Sequence, residues 1–330
     1  MKVRFLIIAA LGLALALYLV MFVGAGAVFA AAAAVDWKGF AILNLYTLAV
    51  FPLLGAAWFV LLPPAGAGGV RAPVFVWARM VRDAATDILP FSQLGGIVLG
   101  ARAAILHGVS RPLAYGSVIV DVTTELLAQI AFIAVGVAFL SLRAPRSPFA
   151  ATLTDSFLVV LVLAVLAGTV FVLLQRRGHA LTQKLASRLL PGAVATTAAV
   201  GAALDDIYRS PLRVGGSSAL HLVAWFASAL WTWLALRLIG VHADPAAVIA
   251  LEALVCAARS AAVAVPHALG VQEAAYGLLA PLLGIGAEYG LAISLLKRAR
   301  DIVTGAPLLL IWQVFEGRRA LGAGAGADAP

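Results

Sequence analysis

Charged side chains set inside long apolar runs are the residues of this chain whose types and spacing could do chemistry. Asp121, Glu125 and Gln129 recur every four residues within a run from about Pro112 to Leu140. Residues four apart share one helix face, so the three form a polar stripe over adjacent turns. Two carboxylates that close repel, so one holds a proton or an Arg sits between them. They could then carry protons, act as acid and base, or be structural groups neutralised by a neighbouring helix. Lys297, Arg298, Arg300 and Asp301 form a second group early in the last apolar run. Arg298 and Asp301 stand three apart and can pair, which leaves Arg300 to meet another element. Arg259 follows Glu252 by two turns on one face, and Arg102 lies in an earlier run. Together Arg102, Arg259, Arg298 and Arg300 could form a basic cavity, because the planar guanidinium fork donates two parallel hydrogen bonds to a phosphate. Each alone reads more readily as a snorkelling or topology-setting residue. Buried charges of this kind are costly within a bilayer, which makes them candidates for function.

That these groups lie within a bilayer follows from composition. Of 330 residues, 63% are apolar and 12% are Asp, Glu, Lys or Arg, with a mean hydropathy of +1.05. A soluble domain carries roughly a quarter charged residues. The chain therefore has too little polar surface for a soluble enzyme, a disordered protein or a nucleic-acid-binding domain, and it reads as an all-α polytopic membrane protein. The net charge of +8 comes from basic residues lying mostly between apolar runs, where they set topology and meet anionic headgroups. Nucleic acid is not an expected partner. The single cysteine, Cys256, reads as a buried small hydrophobe.

The elements that must position the charged groups can be read from the runs. Lys2 and Arg4 precede an apolar stretch from Phe5 to about Val23, longer than a signal-peptide core of about 7–15 residues. We read it as an uncleaved first span with a cytoplasmic N-terminus. Further spans are expected at about Phe40–Leu62, Pro112–Leu140, Ser156–Leu174, Ser217–Ile239 and Leu291–Phe315. Arg71, Arg79 and Arg82 after the second span read as a cytoplasmic loop. Residues 176–213, the most polar stretch, read as a cytoplasmic amphipathic linker. The tail at 319–330 is Gly- and Ala-rich and reads as disordered.

Two stretches do not behave as simple spans. Residues of about 74–106 contain Pro90, Gln93, Gly95 and Gly96, and those of about 246–283 contain Pro266, Gly270, Gln272 and Glu273. Pro blocks the preceding helical turn and Gly lets the backbone bend. Each stretch can enter the membrane, turn and leave on the same side, and each is followed by a long charged span. Counting crossings, the two units (about 72–141 and 245–316) have opposite orientation, an inverted repeat of the kind that places a midplane site in transporters. The fold expected is about six full spans plus two re-entrant hairpins in one transmembrane domain, residues 1–318, with both termini cytoplasmic. The alternative topology has every half-helix crossing fully. Gln93, Gln272 and Glu273 could satisfy backbone groups freed at the breaks, with Glu273 also a plain N-terminal cap. None of the five histidines has metal-ligand spacing, and only His267, beside Pro266, lies where proton coupling is conceivable. No P-loop, H-E-x-x-H, G-x-S-x-G or Cys knuckle is present, so no cofactor or metal is expected.

Leu89-Pro90-Phe-Ser-Gln-Leu-Gly95-Gly96 and Val265-Pro266-His-Ala-Leu-Gly270-Val-Gln-Glu273 resemble the flippase-like membrane domain of lysyl-phosphatidylglycerol synthases. Asp121-Val-Thr-Thr-Glu125-Leu-Leu-Ala-Gln129 is similar to a branch associated with hopanoid biosynthesis. The resemblance covers about residues 5–318 and implies a bacterial inner-membrane protein that moves a lipid or lipid-linked headgroup between leaflets. It implies that Pro90, Gly95, Gly96 and Arg102, and Pro266, Gly270 and Glu273, are the two family breaks, and that Arg298 and Arg300 are its basic final helix. The aminoacyl-transferase domain of the full-length synthases is not among these residues, so lysyl transfer is not implied. Many relatives carry Arg where Asp121 and Glu125 stand here. Membrane lipids are the expected partners, and a second copy or lipid-biosynthetic proteins are the protein partners left open. Two other functions stay open: an intramembrane enzyme that modifies a lipid headgroup through Asp121 and Glu125, and a non-catalytic scaffold of a lipid-biosynthetic complex.

Overall fold

The computed structural model of the chain describes residues 14, 17–22, 24–63, 69–89, 92–143, 148–177, 194–262 and 265–325. All of its regular structure is helical among these residues. In chain order the helices are α1 (Ala25–Ala33), α2 (Asp36–Phe59), α3 (Ala72–Ile88), α4 (Ser92–Ile105), α5 (Arg111–Arg143), α6 (Pro148–Arg177), α7 (Val194–Tyr208), α8 (Pro211–Ile239), α9 (Pro245–Ala261), α10 (Val271–Leu282) and α11 (Ala287–Ala325).

Four stretches are long and apolar enough to cross a membrane: Asp36–Phe59, Arg111–Leu142, Ala151–Gln175 and Pro211–Ile239. The protein is therefore a multi-pass membrane protein. Helix α11 is longer, at 39 residues, but carries Lys297, Arg298, Arg300 and Asp301 on successive turns. The expected first span lies largely outside the described residues, as do residues 178–193 of the expected 176–213 linker, Pro90 and the end of the tail. Helix α6 turns Val159, Val162, Leu163 and Leu166 outward, as expected of a lipid-facing helix at the edge of a bundle.

Two pairs of short helices stand apart. Helix α3 has 17 residues and α4 has 14; α9 has 17 and α10 has 12. At 1.5 Å per residue each is shorter than a hydrocarbon core of about 30 Å. The members of the first pair run antiparallel. A Cβ on Gly96 would lie 2.1 Å from Thr86 Oγ1 and 2.8 Å from the Arg82 carbonyl, and one on Gly100 would lie 3.3 Å from the Ala78 carbonyl. The glycines thus let two backbones touch along their length. The second pair turns through Pro266–Ala268, where His267 (φ 51°) and Ala268 (φ 48°) both adopt left-handed backbone. Such conformations cost non-glycine residues on the order of 1–3 kcal/mol each and persist only when surroundings hold them. Here Arg298 holds them: its guanidinium donates to the His267 carbonyl at 2.9 Å and to the Ala268 carbonyl at 3.4 Å. Helix α10 then starts on a cap in which Gly270 N–H donates to Glu273 Oε2 at 2.8 Å.

Packing relates the two halves. Each hairpin sits between a preceding long helix and a following one: α2, α3–α4, α5 in the first half and α8, α9–α10, α11 in the second. Helices α2 and α8 pack on each other, α5 packs on α9, and α11 packs on α3. Each hairpin's first arm is therefore gripped by the long charged helix of the other half. The α5–α9 crossing is the closer, since a Cβ on Gly136 would lie 2.2 Å from that of Ala253. Gly136→Ala should therefore cost about 1–3 kcal/mol of stability through overpacking, read as a lower thermal midpoint of the detergent-purified protein. Gly215→Ala, with open space around its position, should leave that midpoint unchanged or raise it slightly.

Candidate functional site

The polar stripe of α5 is neutralised by two arginines from α3. Arg79 donates to Asp121 at 3.1 Å and to Glu125 at 2.7 Å. Arg82 donates to Asp121 and, at 2.5 Å, to Glu125. Arg79 also reaches Asp83 at 2.9 Å, and His221 of α8 meets Asp121 at 3.0 Å. Asp121 is fully buried. The two guanidinium forks interleave with two carboxylates one turn apart, so every charge has an opposite neighbour. Gln129, the third member of the stripe, bridges to α9 instead, donating to Cys256 and Ser260.

A second buried pair braces the other hairpin. Lys297 of α11 donates to Glu252 of α9 at 2.5 Å, and Thr232 and Tyr276 donate to the other oxygen of the same carboxylate. Arg79 and Glu252 are each the eighth residue of their helix, and Asp121 and Lys297 are each the eleventh of theirs. The two halves thus place a buried ion pair at the same two positions with the charges exchanged.

Between these braces lies a cavity of about 210 Å³. Its apolar side is Val50, Phe51 and Leu54 of α2 with Ala224, Trp225 and Trp231 of α8. Its polar side is Arg79, Asp83 and Asp87 of α3, Glu125 of α5, His221 of α8, and Arg300, Asp301 and Thr304 of α11. Tyr46 and Thr47 stand half-buried on the α2 edge. Arg300 donates twice to Asp301, at 2.6 and 3.0 Å, and its guanidinium lies 5.2 Å from the Trp231 ring. Lys297 lies 5.5 Å from the same ring.

The sequence-predicted residues divide. Glu125, Arg300 and Asp301 reach the cavity wall, with Asp121 directly behind it. Arg298 does not pair with Asp301; it holds Glu273 at 3.1 Å and the turn carbonyls, because the break leaves those acceptors unpaired. Glu273 also accepts from Ser294, to which Gln272 donates. Glu273, Gln272, Pro266, Gly270 and Arg298 therefore build the second turn and do not line the cavity. Arg102 is drawn to Glu316 at 2.6 Å, on a partly exposed surface of α4 and α11. Arg259 is exposed and makes no ion pair among the described residues. The basic chamber expected from Arg102, Arg259, Arg298 and Arg300 is thus replaced by a wall of mixed charge. Gly95 and Gly96 lie in the first turn of α4, while Pro90 and the side chain of Gln93 lie outside the described residues.

Arg79 and Arg82, expected to mark a cytoplasmic loop, are 3% and 6% exposed within the bundle. Their spacing, three apart on one face, matches carboxylates four apart on another helix, and this was the available signal. His221 and Asp87 gave none beyond their type.

The model of the family described as "Lysylphosphatidylglycerol synthase TM region" matches residues 7–308. No curated protein and no solved structure matches the chain.

Removing one partner of a buried ion pair strands the others, at a cost of about 3–5 kcal/mol. Asp121→Ala should therefore destabilise the purified protein by that order in denaturant unfolding. Adding Arg82→Met to Asp121→Ala should recover part of the loss, because one stranded guanidinium is gone. A double variant less stable than the single one would contradict this account.

Proposed function

Since the chain belongs to the lysylphosphatidylglycerol synthase transmembrane-region family, we propose that it moves an amphiphilic lipid or lipid-linked headgroup between the leaflets of a bacterial inner membrane. The observation that carries this reading is the two-sided cavity between α2 and α8, the equivalent helices of the two halves. Val50, Phe51, Leu54 and Trp225 offer an apolar surface for the acyl side of such a molecule. Arg300, Asp301 and Thr304 offer hydrogen-bonding groups to its head. A volume of about 210 Å³ suits a headgroup of a few heavy groups, with chains left in the bilayer, since a water molecule claims about 30 Å³.

The same reading makes the halves an inverted repeat. Helix α2 crosses, the first hairpin returns to its side of entry, and α5 and α6 cross. With α7 at the surface, α8 crosses next, so the second hairpin enters from the opposite side. The helix order, the matched arm lengths and the ion pairs at equivalent positions support this. Arg71, Arg176, Arg177, Arg209 and Arg213 all then fall on one side, which the positive-inside rule makes the cytoplasm. On the same rule Arg318 and Arg319 favour a cytoplasmic C-terminus. Transport is favoured over headgroup chemistry because Asp121 and Glu125 are both held by guanidiniums, a poor state for an acid–base pair.

The test is leaflet exchange in proteoliposomes carrying fluorescent phosphatidylglycerol, with outer-leaflet label destroyed by a membrane-impermeant reductant. Loss of a charge-assisted contact worth about 1.5–3 kcal/mol corresponds to about 10- to 100-fold in rate. Arg300→Gln should slow exchange by that factor while Arg102→Gln, distant from the cavity, should not. Equal rates for wild type and Arg300→Gln would remove the cavity from the pathway.

A further inference from the structure

The cavity wall is unbalanced. Four carboxylates, Asp83, Asp87, Glu125 and Asp301, face two guanidiniums, Arg79 and Arg300. Arg82 and Asp121, behind the wall, cancel one another. Arg79 is committed to Glu125 and Asp83, and Arg300 to Asp301. Asp87 is left over: among the described residues it makes no hydrogen bond and no ion pair. It is partly buried on the cavity side of the last turn of α3.

Charged and titratable groups around Asp87 come from several elements: Tyr46 of α2, Glu125 of α5 and His221 of α8 line the same cavity. Asp83 lies one turn back on α3, Arg300 and Asp301 on α11, and Arg259 on α9; all four act on it electrostatically. Asp87 and Asp301 thus face one cavity from two helices, and the guanidinium beside them, Arg300, is already engaged by Asp301. Two carboxylates in such a place favour sharing a cation. A metal ion is disfavoured by geometry, since no three His, Cys, Asp or Glu groups converge to hold one among the described residues. A proton needs only one carboxylate oxygen and contact with cavity water, and Asp87 is partly exposed on the cavity wall.

We propose that Asp87 is the proton-binding residue of this protein, and that its protonation drives lipid movement through the α3–α11 contact. This rests on the transport reading above. The step is simple: a proton from cavity water adds to one Asp87 oxygen, the carboxylate becomes a neutral acid, and the same proton leaves to water on the other side. Charged Asp87 competes with Asp301 for Arg300; neutral Asp87 releases it. The movement has a mechanical path, because α3 and α11 touch one turn away. A Cβ on Gly305 would lie 3.0 Å from Ile88 Cγ1 and 3.6 Å from Ala84 Cα. A shift of Arg300 toward Asp87 therefore moves two helices already in contact at the end of the first hairpin.

Two measurements on the full chain test it. In lipid-reconstituted protein, infrared spectra taken through an acid titration should contain a carboxylic C=O component that Asp87→Asn lacks and Asp87→Glu retains. In proteoliposomes with fluorescent phosphatidylglycerol, an imposed pH gradient should accelerate leaflet exchange severalfold in wild type and Asp87→Glu, and the ratio with and without gradient should fall to unity in Asp87→Asn. A C=O component of full size in Asp87→Asn, or a gradient response surviving in it, overturns the proposal. So does a lipid ammonium group whose binding depends on Asp87 with no titrating component, which would make the residue a headgroup ligand. If the infrared component is lost as expected but no variant, nor wild type, exchanges lipid, the proton site stands and the transport reading falls.

Discussion

The structure depends on burying charge in pairs. A lone guanidinium or carboxylate in hydrocarbon is expensive, yet α3 carries two arginines and α5 two acids where both helices are covered by neighbours. Arg79 and Arg82 dock on Asp121 and Glu125, and this obliges the short helix α3 to lie against the long helix α5. Apolar contacts alone would not fix that placement, because lipid tails are as apolar as leucine. The pairing sets the register of the hairpin, its depth and the side of α5 it occupies.

The second half solves the same problem with the charges exchanged. Glu252 stands where Arg79 stands and Lys297 where Asp121 stands. Pair geometry is kept while sign is not, so what the two halves share is a requirement for one internal cross-brace per hairpin. The braces differ in what surrounds them. The first is a network of five charges with His221 attached and opens on the cavity through Arg79, Asp83 and Glu125. The second is closed by Thr232 and Tyr276 and contributes nothing to the cavity directly. The first brace can thus form part of a site, while the second serves as an anchor.

Much of this was legible in the sequence. Apolar runs located the long helices, because length and hydropathy are local properties, although α6, α8 and α11 extend six to ten residues beyond the expected run at one end. Pro and Gly located the second hairpin, and the period-four stripe singled out Asp121 and Glu125. What sequence reasoning could not supply was partnership. Arg298 was paired on paper with Asp301 because three residues separate them on one helix. In the folded chain the unpaired carbonyls of His267 and Ala268 compete for it and win. Arg79 and Arg82 looked like loop residues because positive charge near a span end usually marks the cytoplasm. The fact that α3 folds back into the bundle, decided by packing on α2, α4 and α11, turned them into the site's principal cations. Arg102 was assigned to the cavity by sequence proximity to the first break, but two turns of α4 carry it to Glu316.

The second brace and the cavity meet at one aromatic ring. Trp231 is fixed by its indole N–H to the Leu43 carbonyl at 3.1 Å and is almost completely buried, yet it touches the cavity. Lys297, committed to the second brace, and Arg300, committed to the cavity, both lie within 6 Å of its face, the range of cation–π attraction. Both cations sit on α11, one turn apart. Any displacement of Arg300 toward the first hairpin must therefore be made against a ring that also holds Lys297, and so against Glu252 and the second hairpin. This shared ring couples the cavity to both hairpins without a continuous chain of hydrogen bonds. It also explains why a wall of mixed charge is compatible with a firm fold. Most of the charges in that wall are held by a neighbour that is itself braced, and the one carboxylate without such a neighbour, Asp87, stands at the end of a hairpin arm where its charge state can change at least cost to the rest.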